Sequence, residues 1–176
     1  MKNDKANERG LGLIELIVAV VVAGIVVAAM ATILVNSWRT QEDVTSVTQA
    51  TNRGQVVSSA IERAVRNALF YQVSDGGTVL RVSTSLEGSL KCQGFRLIAD
   101  GAAHFTTSAT ALNATLSTWP DWQDGIRPQG TMPFFDDSAP GTVSYAFEIE
   151  TDSAPVRFSG EVGPRSVQEG NPDSCW

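Results

Sequence analysis

The side chains capable of chemistry in this sequence are few and widely spaced. His104 is the only histidine, and Cys92 and Cys175 are the only cysteines. A tetrahedral zinc site of the usual kind needs four such ligands, so these three residues do not suffice. Any Ser-His-Asp or Cys-His arrangement would have to use His104, which lies between alanine and phenylalanine in a strand-like stretch. We therefore interpret His104 as structural, and the sequence predicts no catalytic residue, metal or cofactor.

Four aspartates, Asp121, Asp124, Asp136 and Asp137, fall within one segment rich in glycine and proline. A calcium ion needs six or more oxygen ligands in a compact shell, and the spacing here matches no known calcium loop. Aspartate beside glycine and proline is typical of turns. The interpretation as turn formers is therefore favoured over a calcium site.

Glu15 is the more unusual carboxylate, because a long apolar run follows it. Every residue from Leu16 to Val35 is apolar except Gly24 and Thr32. At about 1.5 Å per residue the run spans about 30 Å, the thickness of the hydrocarbon core of a bilayer. A carboxylate deep in such a segment costs about 2.5–3.5 kcal/mol, which makes Glu15 a functional candidate. The alternative is that Glu15 lies near the membrane edge and reaches water.

Charge is divided along the 176-residue chain in the same way as hydrophobicity. Lys2, Lys5 and Arg9 precede the apolar run, whereas the excess of 19 acidic over 13 basic residues falls after it. Basic residues before a span favour a cytoplasmic N-terminus, with the C-terminus outside. The net charge of −6 argues against direct binding to nucleic acid, whose phosphates attract clustered lysine and arginine.

A basic start followed by an apolar run is compatible with three fates. A secretory signal peptide would be cut after a small-x-small site, and residues 29–31 (Ala-Met-Ala) supply one. An uncut run would be a simple single-pass anchor. The third possibility is cleavage of a short leader before the apolar run, and it depends on Glu15 and the residues around it.

Residues 9–17 (RGLGLIELI) resemble the N-terminal signature of the type IV pilin superfamily, and the likeness extends to Val35. That signature is a short charged leader ending in glycine, then an apolar residue, an apolar pair around a glutamate and about twenty apolar residues. Leu11 stands where phenylalanine is commoner, and Gly12 where threonine or serine is commoner. The run also lacks the proline that bends the helix of many major pilins.

The resemblance implies that prepilin peptidase cuts between Gly10 and Leu11 and methylates the new amine of Leu11. It also implies that Glu15 neutralises the N-terminal amine of a neighbouring subunit inside an apolar helix bundle. A lone buried charge is costly and a paired one is tolerated, so Glu15 would select the correct register during assembly. The implied partners are other pilin subunits, the peptidase, the membrane protein of the assembly platform, and membrane lipid before assembly.

After Trp38 the sequence becomes polar without a helix stop. Apolar or small residues recur at spacings of three and four from Val44 to Leu69, which predicts one buried helix face. Residues 74–77 (SDGG) form a turn cluster. We therefore expect one helix from Leu11 to about residue 71, divided into a membrane segment (11–35) and an amphipathic segment (36–72), between a cleaved leader (1–10) and a globular head (73–176).

The sequence of the head predicts an antiparallel sheet, so the expected fold class is α+β and pilin-like. Strands are predicted at 78–83, 95–99, 102–106, 142–151 and 156–162, with Asp100-Gly101 as a type I′ hairpin turn. One sheet face is apolar and should cover the helix, and the other is polar. Residues 108–141 are predicted to be rich in loops.

Cys92 and Cys175 lie in the part expected to be exported, where disulfides persist. A Cys92–Cys175 bridge is favoured over two buried thiols, and the resemblance supports it because many pilins fasten their C-terminus in this way. Residues 92–96 (CQGFR) and a later tryptophan, Trp122, also resemble minor pilins and pseudopilins of high-GC Gram-positive bacteria. Four aromatic residues near the aspartates are interpreted as a small core rather than an exposed adhesive patch: Trp119, Trp122, Phe134 and Phe135.

The sequence thus predicts a non-enzymatic structural subunit, a minor pilin or pseudopilin, in the cytoplasmic membrane and then in a cell-surface filament. A pilin for DNA uptake, a tip adhesin and a membrane-anchored surface protein of unrelated role are the alternatives. A membrane-tethered hydrolase would need a polar catalytic cluster, which the sequence does not show.

Overall fold

The computed structural model describes residues 12–86, 88–99, 101–165 and 175–176. The chain divides into two compact units, Met1–Glu42 and Asp43–Trp176. Helix α1 (Leu13–Arg66) supplies the described part of the first unit and continues into the second. The second unit is called the head from here on, and it includes residues 43–72 in addition to the head expected from the sequence. Its described residues also form eight strands.

Thr32 and Gly24, the two residues of the apolar run that are not apolar, do not interrupt α1. Thr32 donates its hydroxyl to the Ala28 carbonyl at 3.0 Å, so its polar group is satisfied within the helix. A Cβ atom built on Gly24 would meet nothing within 4 Å, so this glycine serves no close approach in the chain. With no proline before Pro120, nothing in the run breaks the helix.

Helix α1 ends at Arg66, several residues before the end predicted from the apolar stripe. The side-chain amide of Asn67 donates to the Arg63 carbonyl at 2.7 Å and so occupies an acceptor in the last turn. Ala68, which fits the helical stripe, instead begins the first strand, and Leu69 follows it there. Pairing with the next strand, over a stretch that includes Phe70 and Tyr71, overrides the helical spacing.

All strand pairs in the head are antiparallel and belong to one sheet. The order is β1-β2-β3-β4-β5-β7-β6, and β8, outside this path, also pairs with β7. The strands are β1 (Ala68–Ser74), β2 (Val79–Leu86), β3 (Ser89–Leu97), β4 (Gly101–Ser108), β5 (Asp121–Arg127), β6 (Phe135–Asp136), β7 (Val143–Ile149) and β8 (Val156–Val162). A helix beside an antiparallel sheet is the predicted α+β, pilin-like layout.

The two predicted hairpins are present as β3–β4 and β7–β8. The β3–β4 turn closes one residue earlier than predicted, because the Gly101 amide donates to the Ile98 carbonyl at 3.3 Å. Gly101 follows the turn with φ of 105°, a value that favours glycine. Asp100, the other half of the predicted turn, lies outside the described residues.

Two strands, β5 and β6, lie in the segment predicted to be rich in loops. β5 is the strand that joins the two hairpins, since it pairs with β4 on one side and with β7 on the other. Its sequence, DWQDGIR, lacks apolar alternation, and its pairing with β4 is irregular, with two register shifts. The period-two signal for a strand is therefore missing from the strand that unites the sheet.

The main core lies between one face of the sheet and the head portion of α1. The buried helix residues recur at helical spacing: Ala50, Gly54, Val57, Ile61, Ala64 and Val65. The last four belong to the predicted stripe, whereas its first residue, Val44, is exposed. Gly54 permits a close approach, because a Cβ atom there would lie 2.0 Å from Cε2 of Phe158 in β8. Phe158 in turn stacks on the fully buried Phe147, with ring centroids 5.2 Å apart.

The opposite face of the sheet was predicted to be polar, and over β2 and β3 this is wrong. A second core covers it, formed by buried Val79, Cys92, Leu112, Trp119 and Cys175. Trp119 lies directly on Gly94 of β3, where a Cβ atom would approach its ring to 2.4 Å. Trp119, Phe134 and Phe135 are buried and Trp122 is partly buried, so these aromatics are interior as predicted. They do not form one small core, because Trp119 belongs to the second core and the other three to the main core.

Candidate functional site

The described chain begins at Gly12, so the predicted cleavage residues Gly10 and Leu11 lie outside the described residues. The Gly12 carbonyl accepts from the amides of Glu15 and Leu16, at 2.9 and 3.2 Å, and so begins the hydrogen-bonding of the helix. Glu15 therefore occupies the first turn of α1. A carboxylate is favoured there because the unpaired amides at a helix N-terminus carry partial positive charge.

The surface that follows Glu15 is apolar on every side of the helix. Every described residue from Gly12 to Thr45 is exposed, and α1 is the one helix in the described chain that is long and apolar enough to cross a membrane. Glu15 is the sole ionisable residue between Leu13 and Trp38. An all-round apolar helix is stable when lipid or other helices surround it.

The predicted disulfide between Cys92 and Cys175 is formed, with the Cα atoms 5.5 Å apart and a sequence separation of 83. Cys175 also holds the layer that covers the sheet, because its carbonyl accepts from the Leu112 amide at 2.8 Å. Trp176 packs beside Phe70 of β1, with ring centroids 5.6 Å apart. The bridge therefore fastens both the end of the chain and the covering segment to the sheet.

Asp121 and Asp124 lie in strand β5, so their interpretation as turn formers is wrong. Asp136 accepts from the amide and hydroxyl of Ser138, and Asp137 accepts from the Val73 amide of β1. Asp121 lies 3.0 Å from Nδ1 of His104, which is also 3.1 Å from the Trp119 carbonyl. His104 thus links β4 to the start of β5.

Among the described residues, no group of three His, Cys, Asp or Glu side chains could hold a metal ion.

A contact that the sequence did not reveal joins α1 to β7. Tyr145 donates its hydroxyl to Oε1 of Glu62 at 2.7 Å, and the other carboxylate oxygen of Glu62 binds Arg66 at 3.2 Å. Tyr145 can reach the helix because Gly160, its partner in β8, leaves room for the ring. Burial, and then the bond to Glu62, raise the pKa of Tyr145 from 10.0 to about 12. Only the Glu62–Arg66 pair was visible in the sequence, through its spacing of four.

Replacing Tyr145 with phenylalanine should lower the free energy of unfolding by about 2 kcal/mol, because a hydrogen bond to a charged acceptor is lost. In the wild type, the unfolded chain releases this phenolic proton near pH 10.0 and the folded chain near pH 12. Stability should therefore be full below pH 10 and fall as the pH rises to about 12. Chemical unfolding across this range measures both effects.

The pH dependence of Tyr145→Phe should be shallower than that of the wild type. It should not vanish, since burial and then Asp137 also raise the pKa of Tyr71. An equally steep loss of stability in the variant would show that the proton of Tyr145 is not held by the fold.

Comparison with known families bears on the N-terminal part of the chain. A family model for the prokaryotic N-terminal methylation motif matches residues 5–31. The match supports a type IV pilin-like prepilin. No curated protein and no solved structure matches the chain significantly.

The methylation motif spans the start of α1 and most of the apolar run, including Glu15. A prepilin motif implies processing by prepilin peptidase and assembly with other pilins, and it suggests anchoring in a membrane before incorporation in a pilus. The motif ends at residue 31, before the head begins. What the head does must therefore be argued from its own residues.

Proposed function

We propose that this chain is a structural, non-enzymatic subunit of a type IV pilus-like filament, a minor pilin or pseudopilin. The observation that carries the proposal is the apolar segment of α1, exposed on every side and beginning with Glu15 in its first turn. Such a surface is unstable in water and requires lipid or neighbouring helices. The methylation motif over the same residues suggests that lipid surrounds the helix first, in the membrane, and that neighbouring helices surround it later, in the filament.

In this proposal prepilin peptidase cuts between Gly10 and Leu11 and methylates the amine of Leu11. The subunit waits in the cytoplasmic membrane as a single-pass protein with its head outside, and the membrane protein of the assembly platform then transfers it to the filament. Residues 11–35 bundle with helices of other subunits. Glu15 pairs with the amine of a neighbour, because an unpaired carboxylate inside that bundle would be costly.

In this proposal the subunit primes or tips the filament rather than repeating along its shaft. It carries an additional layer, with residues from Leu112 to Trp119 held on the sheet by the Cys92–Cys175 bridge. The sequence likeness to minor pilins and pseudopilins of high-GC Gram-positive bacteria agrees with this part of the proposal.

Intact-mass analysis of the membrane fraction, in cells with and without prepilin peptidase, tests the processing step. With the peptidase we expect a chain that begins at methylated Leu11, and without it an uncut chain. A chain that begins at Thr32 would instead show a cleaved signal peptide. An uncut chain in both strains would show a simple anchor.

Replacing Glu15 with alanine should abolish incorporation into sheared filaments while the subunit remains in the membrane. The physical reason is that the neighbouring amine would be left buried without its counter-charge. Glu42→Ala is the matched control, since Glu42 is an exposed carboxylate of α1 outside the apolar run. Immunoblots of filament and membrane fractions measure the effect, and normal incorporation of Glu15→Ala would remove the register role.

A further inference from the structure

Trp38 is a large aromatic residue that belongs to neither core of the described chain. The other three tryptophans belong to the head, where Trp119 is buried and Trp122 and Trp176 pack against the two cores. Trp38 is 58% exposed and lies in the polar segment Asn36–Asp43, directly after the apolar run. In the described chain this tryptophan therefore presents a large part of its ring to the surroundings of the subunit.

The position of Trp38 fits the boundary between lipid and water. Tryptophan is enriched at that boundary, because its ring is apolar while its indole N–H can be hydrogen-bonded. Apolar residues up to Val35 precede it, and exposed Arg39 follows it with donors suited to a lipid phosphate. Thr40, next in the chain, already satisfies its hydroxyl on the Asn36 carbonyl at 3.0 Å.

The spacing along the helix connects Trp38 to Glu15. The two positions differ by 23 residues, which at about 1.5 Å per residue is about 35 Å. The hydrocarbon core of a bilayer is about 30 Å thick. A helix with Trp38 in the outer headgroup region therefore places Glu15 in the inner headgroup region, where its carboxylate is hydrated. Of the two positions that the sequence left open for Glu15, deep in the membrane or near its edge, this spacing favours the edge.

We propose that Trp38 and Arg39 form an anchor that binds the phospholipid headgroups of the outer leaflet and sets the depth of the helix in the membrane. The inference rests on the membrane-anchored stage of the proposed function. It adds a second contact with lipid, made by residues beyond the methylation motif. The anchor keeps Glu15 at the inner surface until the subunit leaves the membrane.

Tryptophan quenching by brominated lipid tests this anchor in the full 176-residue chain. The chain is reconstituted into phosphatidylcholine–phosphatidylglycerol vesicles whose acyl chains carry bromine either near the carboxyl end or near the methyl end. The signal of Trp38 is the difference between the wild type and Trp38→Phe. We expect this signal to be quenched more strongly by the shallow bromines than by the deep ones. Trp176→Phe is the matched control and should leave lipid quenching unchanged.

The outcomes separate this inference from the proposed function. A chain that does not sediment with the vesicles would contradict membrane anchoring itself. A chain that sediments, but whose Trp38 signal is unquenched or is quenched more by the deep bromines, would overturn the anchor alone. Glu15→Gln should leave the ratio of shallow to deep quenching unchanged. A shift of that ratio would show that Glu15 and not Trp38 sets the depth, which also overturns the anchor.

Discussion

Replacing Cys92 and Cys175 together with serine should lower the free energy of unfolding of the head by about 4.5 kcal/mol, on the loop-entropy account of a crosslink across 83 residues. Most of the effect comes from the unfolded chain, whose conformational entropy rises when the bridge no longer closes a long loop. The folded chain also loses a fastening, since Cys175 holds the Leu112 amide through its carbonyl. Denaturant unfolding of the full chain in detergent measures the difference.

Hydrogen exchange gives a local readout of the same change. The Leu112 amide should exchange faster in the serine variant, whereas amides in the β7–β8 hairpin should change less. The matched control is reductant, which should destabilise the wild type and leave the serine variant unaffected. An unchanged unfolding midpoint would mean that the packing of Trp119 and Val79 holds this layer without the bridge.

Replacing Gly54 with alanine should lower the free energy of unfolding by about 1–3 kcal/mol, as overpacking of a core does. The intrinsic helix preference of alanine over glycine has the opposite sign and is worth about 1 kcal/mol. The steric effect prevails because the new methyl group would overlap the Phe158 ring, with Cε2 at 2.0 Å and Cζ at 2.1 Å. That ring cannot move freely, since it stacks on buried Phe147.

Gly24→Ala is the control for Gly54→Ala, because a Cβ atom at Gly24 meets nothing within 4 Å in the chain. It should leave the unfolding of the head unchanged. Phe158→Leu in the Gly54→Ala background should recover part of the lost stability, and such non-additivity is the mark of a direct contact. If Gly54→Ala stabilises the head, helix propensity outweighs the contact and our interpretation of Gly54 is wrong.

The elements with regular patterns could be predicted from the sequence. The apolar run, the helical stripe of the head and the alternation in β7 each repeat with the period of one regular structure. The end of α1 could not be predicted in the same way, because Ala68 and Leu69 fit the helical stripe as well as they fit β1. Strand β5 was missed because its place in the sheet depends on β4 and β7 and not on its own residues.

In the candidate site too, features with a local sequence signal could be predicted, and contacts between distant residues could not. Glu15 was visible because a carboxylate beside a long apolar run is unusual in itself, and the disulfide because an exported chain with two cysteines has one pairing to make. The contacts of Tyr145 with Glu62 and of Gly54 with Phe158 were not visible. Each joins residues distant in sequence, and no local spacing connects a glycine in a helix to a phenylalanine in the last strand.

The position of the disulfide also determines how the chain responds to mechanical force. A pull applied between the two ends of the chain passes directly from Cys92 to Cys175 through the covalent bond. The 83-residue separation that the bond closes includes β4 to β8 and corresponds to about 280 Å of extended chain, at about 3.4 Å per residue. None of that length can be drawn out while the bond is intact. Under tension from its ends, the protein could therefore lengthen almost only by the part of the chain that precedes Cys92.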